Sequence, residues 1–117
     1  MYKHYNANAV NRYTDDCVIR AISCATNTSW DNVYDYLSDM AQYEGTLLDK
    51  REFVRNYLDR TYKRINDNGS VGYISWKYKD NILLITMPGH ITCSKYGIVY
   101  DTFDCRDRKA ETIWLVK

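Results

Sequence analysis

No run of this chain is long and apolar enough to cross a bilayer. Its first residues, Met1-Tyr2-Lys3-His4-Tyr5-Asn6, lack the apolar core of a secretory signal. The expectation is a cytoplasmic protein without membrane contact, in a compartment where thiols stay reduced. An excess of charge is also missing: the formal net charge is +1, so no basic surface calls for a nucleic-acid partner. The four cysteines include no Cys-x-x-Cys pair. That removes the common structural-zinc pattern, and free thiols with no metal and no cofactor are expected. Repeats, low-complexity segments and linkers are absent. What remains is 117 residues, 45% hydrophobic and 26% charged, the composition of one folded domain spanning 1–117. The 12 tyrosines serve equally in cores, at partner surfaces and in base stacking, and decide nothing alone.

Helical periodicity dominates the first half. After a polar, extended lead-in over 1–13, Thr14, Asp15 and Asp16 offer N-caps to a helix beginning at Cys17. Cys17, Ala21, Cys24 and Ala25 recur at i, i+4, i+7 and i+8, one stripe flanked by Val18 and Ile22. Ser29 caps a second helix with Trp30, Val33, Tyr34, Leu37, Met40 and Ala41 on one face, and Gly45 ends it. Asp49 and Glu52 form a capping box for a third, bracketed by Leu48 and Phe53. Beyond Gly69 the pattern changes. Val71 to Tyr78 reads as a short helix capped by Ser70, with a strand as the alternative. Strands follow at Asn81 to Met87, His90 to Ser94, Ile98 to Phe103 and Thr112 to Val116. Helices followed by an antiparallel sheet predict an α+β fold.

A cysteine nucleophile needs a thiolate, a base and a group that orients the base. Of the four thiols only Cys17 falls at a helix start, where orphan N–H groups and the macrodipole favour the anion. Asp15 and Asp16 oppose that, because adjacent carboxylates raise a thiol's pKa. There are two histidines: His4 lies in the lead-in, whereas His90 opens a strand directly after Pro88-Gly89. If the next turn is Tyr96-Gly97, Asp101 shares a face with His90 diagonally. If the turn has three residues, parity flips and Asp104 becomes the neighbour.

Thr14–Ser23 (TDDCVIRAIS) resembles the cysteine-bearing helix start of papain-like and C39-like peptidases. Gly89–Cys93 (GHITC) and Gly97–Cys105 (GIVYDTFDC) resemble their histidine hairpin. The resemblance implies a papain-like fold with Cys17, His90 and Asp101 in catalytic roles, and it favours Asp101 over Asp104. It also implies an oxyanion side chain six residues before the cysteine, where this chain has Asn11 in place of the family's Gln. The implied activity is cysteine-dependent hydrolysis of a peptide or isopeptide bond through a thioester. Small bacterial and bacteriophage proteins of this type would place it in a bacterial cytoplasm.

Other readings accompany this one. Cys17 taken alone suits a buried small hydrophobe, and His90 a ring bonded to a backbone carbonyl. A fold kept without activity would leave a protein-binding module, for example a phage protein directed at a host factor. Its mark would be a Cys17 sulfur and a His90 ring that point apart. The basic stretches Lys77-Tyr78-Lys79 and Arg106 to Lys109 suit phosphate only if they share one face. A metal held by Cys93, Cys105 and His90 would lack a fourth ligand.

Overall fold

The computed structural model describes residues 1–7, 16–48 and 50–117. Its elements run β1 (Tyr2–His4), α1 (Cys17–Thr26), α2 (Trp30–Tyr43), α3 (Arg51–Thr61), β2 (Lys63–Ile65), α4 (Val71–Lys77), β3 (Ile82–Met87), β4 (His90–Lys95), β5 (Ile98–Asp101) and β6 (Thr112–Leu115). This is an α+β domain. Its six-stranded sheet has the order β1-β5-β4-β3-β6-β2. Among the described residues no helix is long and apolar enough to cross a membrane.

The continuous apolar run of β3 has cover on both faces, as such a run requires. Ile82 and Leu84, with Ile91, Cys93 and Trp114, pack under residues of α1, α2 and α3. Leu83, Ile85 and Met87 face the other way, against Val71 and Ile74 of α4 and against Val99, Cys105 and Ile113. Each large side chain removed from water in these cores contributes about 1.5–3 kcal/mol. The two cores fix the sheet between helix layers, and with it the strand ends that carry the site.

Local chemistry explains the helix ends. Ser29 and Ser70 accept from the N–H groups of Asn32 and Tyr73, which caps α2 and α4. Asn27 closes α1 in the left-handed conformation at φ 54°, which Asn tolerates better than most residues. The third helix departs from expectation. It begins at Arg51 with Lys50 as N-cap and no side-chain cap bond, while Asp49, where the capping box was expected, lies outside the described residues.

The sheet is mixed rather than antiparallel. Tyr2, Lys3 and His4 pair in parallel with Val99, Tyr100 and Asp101, so His4 belongs to an edge strand and not to a loose lead-in. Lys63–Ile65 adds a second edge, antiparallel to β6. Both edge strands are three residues long and mostly exposed. They lack the apolar alternation by which a strand is read.

Two tight turns set the register that matters. Met87 pairs with His90 across Pro88-Gly89, and Lys95 pairs with Ile98 across Tyr96-Gly97. Gly89 (φ 71°), Tyr96 (φ 53°) and Gly97 (φ 84°) supply the positive φ these turns demand. The second turn is therefore of two residues. It resolves the parity between Asp101 and Asp104 in favour of Asp101.

Candidate functional site

Cys17 is the first residue of α1 and is half-buried. Asp16, the N-cap, makes no side-chain bond to the helix's first N–H groups. Its buried carboxylate instead accepts from Trp30 Nε1 at 2.8 Å and forms an ion pair with Arg20, one turn along the helix. The charge expected to oppose a thiolate is thus answered by Arg20, whose own charge also favours the thiolate at Cys17. Asp15 and Asn11 lie outside the described residues.

His90 opens β4, and its Nε2 lies 2.7 Å from Asp101 Oδ2. That bond leaves Nδ1 as the ring nitrogen available to a second partner. The ring also lies beside Cys17, close enough for each group to shift the other's pKa, so the thiol, imidazole and carboxylate stand in series. The Phe103 ring covers His90 at 4.9 Å between centroids and 44° between planes. The guanidinium of Arg108 lies over Phe103 in turn, at 5.1 Å.

Asp101 is 5% exposed. Its Oδ1 accepts from the Thr102 N–H at 2.7 Å, and the nearby Thr92 hydroxyl helps to hold the carboxyl low. Its backbone carbonyl accepts from Tyr2 Oη at 3.0 Å and from the Tyr5 N–H at 2.8 Å. The amino-terminal edge strand thereby pins the acid in place. Asp104, the alternative acid, is not part of this arrangement: it is exposed and bound to Arg106 at 2.7 Å.

The electrostatics follow from these contacts. Burial raises the Cys17 thiol, but the hydrogen bond and charge of His90, with a backbone bond from Ile91, outweigh it and bring the pKa below the ordinary value. Burial of the His90 ring disfavours its cation, yet the bonds to Asp101 and Cys17 win and push it up to about 9. Asp101 is held below the usual carboxylate range: its own burial is outweighed by His90, Thr92 and Thr102. Both shifts run in the direction that favours a thiolate–imidazolium pair.

Cys17 and His90 both line an open cleft of about 280 Å³, with Met87 and Trp114 and with Arg51 and Arg55 of α3. The two groups neither point apart nor sit behind core side chains. The remaining thiols differ. Cys24 and Cys93 are buried between α1 and β4, and the neighbouring Cys24 together with burial raises Cys93 well above the ordinary value. Cys105 is the thiol beside the pair, with His90, Asp101 and Cys105 donor atoms within 4.8 Å of one another. Burial and the Asp101 charge push Cys105 up to about 11. Within the basic stretches Lys77 binds Asp67 and Arg106 binds Asp104.

The sequence did not point to Thr92, Tyr2, Arg51 or Arg55. Thr92 had a signal, because two residues on from His90 a strand returns to the same face. Tyr2 had none, because its strand is an edge. No protein-family model, curated protein or solved structure matches the chain.

Proposed function

We propose that this domain is a cysteine-dependent hydrolase of papain-like type, acting on a peptide or isopeptide bond. The observation that carries the proposal is the series Cys17–His90–Asp101, with the thiol at a helix N-terminus and open to a cleft. In this mechanism the Cys17 thiolate attacks the acyl carbon. The first N–H groups of α1, which have no intrahelical acceptor, stabilise the oxyanion, and the Asn11 amide is proposed as the second donor. The protonated His90 gives its proton to the leaving amine, and a thioester remains on Cys17. His90, now neutral, takes a proton from water. The hydroxide attacks the thioester, and collapse returns the thiolate and releases the acid. Asp101 keeps the imidazole in the orientation that serves both steps. Phe103 shields the His90–Asp101 bond from water, which strengthens it.

Turnover is expected to fall on the alkaline side at about pH 9, where His90 gives up the proton the leaving group needs. On the acid side it falls as the Cys17 thiolate is protonated, below the ordinary thiol value. An activated ester such as p-nitrophenyl acetate tests the acyl chemistry without a known substrate. The expected result is an acetyl group found by mass spectrometry on Cys17 alone, which then turns over. Cys17→Ala should lower turnover on the order of 10³-fold or more. Acetylation spread evenly over cysteines and lysines, without turnover, would contradict the proposal.

A further inference from the structure

The cleft that opens onto Cys17 and His90 carries two further cations. Arg51 and Arg55 stand at i and i+4 on α3, so they share one face of that helix, and both line the cleft. Among the described residues neither lies within ion-pair or hydrogen-bond distance of a carboxylate, though the Arg55 charge reaches Asp59 one turn on, in contrast to Arg20, Arg60, Arg64 and Arg106, each bound to a carboxylate. Among the described residues that line the cleft the one carboxylate is Glu111, beside β6, against the two guanidiniums of Arg51 and Arg55. The rest of the lining is largely apolar, through Val18, Val54, Met87, Ile91 and Trp114. A guanidinium without a partner beside apolar surface gains more from an arriving carboxylate than one already paired.

We propose that Arg51 and Arg55 form a recognition subsite for a carboxylate on the substrate, which makes an acidic peptide the class that this cleft takes. This rests on Cys17 being the nucleophile. The carboxylate of a glutamyl or aspartyl side chain is received by the α3 guanidiniums, with the neighbouring apolar surface against the side-chain stem. The scissile carbonyl then lies toward Cys17. Glu111 limits the subsite to a single negative charge and disfavours a strongly polyanionic partner.

The test uses two probes of the same thiol. Iodoacetamide, small and neutral, reports the nucleophile alone. A pair of tripeptidyl chloromethyl ketones that differ only in Glu against Gln, with the variable residue placed in turn at each position, reports the subsite. In the wild type the Glu reagent at one position should inactivate Cys17 about tenfold faster than its Gln counterpart. In the Arg51→Gln/Arg55→Gln double variant the ratio should fall to near one, with the iodoacetamide rate unchanged. Glu111→Gln should raise the ratio. Fast iodoacetamide labelling with a ratio near one at every position overturns the subsite and leaves the nucleophile standing. Slow iodoacetamide labelling, no faster at Cys17 than at other thiols, overturns both.

Discussion

Two cysteines flank the His90–Asp101 pair, and the protein treats them in opposite ways. Cys17 meets the imidazole end, at the start of a helix and open to a cleft, and its thiol is brought below the ordinary value. Cys105 meets the carboxylate end, with Sγ 3.8 Å from Asp101 Oδ2, wholly buried, and its thiol is pushed up to about 11. Proximity to a charged pair therefore does not by itself activate a thiol. What decides is which member of the pair the sulfur faces, because a cation favours the thiolate and an anion disfavours it. The helix start adds to this at Cys17 alone.

The sharpest way to break the contrast is Asp101→Asn. It removes the charge that raises both His90 and Cys105. The two thiols should move toward each other, Cys17 upward as its imidazolium weakens and Cys105 downward from about 11. Turnover should fall on the order of tenfold to a hundredfold. Thiol titration by mass spectrometry checks it, and movement of both thiols in one direction would count against the electrostatic explanation. Phe103→Ala should act more mildly, by a few-fold, because it admits water to the His90–Asp101 bond without removing either partner. Its measure is the His90 pKa by NMR, which should drop from about 9 while Cys105 stays put. Asp104→Asn should change neither thiol measurably, since its partner is Arg106 at the surface. A clear effect on Cys17 there would reopen the alternative acid.

Much of this was legible in the sequence, for physical reasons. The stripes of α1 and α2, the serine caps of α2 and α4, and the apolar run of β3 are strong local signals, and each marks the element that forms. The partnership of His90 with Asp101 depended on one turn of two residues, a parity that the pattern alone left open. The edge strands β1 and β2 escaped because pairing, not side-chain alternation, makes them strands. The ion pair of Asp16 with Arg20 fits an i, i+4 spacing on α1, yet its bearing on Cys17 depends on burial that no spacing reveals. The arginines of the cleft could not be foreseen. Their role follows from where α3 packs, which is a tertiary property.

The series from Cys17 through His90 to Asp101 is tested most directly by the pH dependence of alkylation at Cys17, in the wild type and in His90→Ala. The wild type should alkylate with an apparent thiol pKa below the ordinary value, and the variant should return to about 8.5 or above. At pH 6 that is a loss of reactivity on the order of tenfold to a hundredfold. A wild-type pKa already at about 8.5 or higher, and unmoved by loss of His90, would mean that Cys17 is a structural thiol and that the series carries no chemistry.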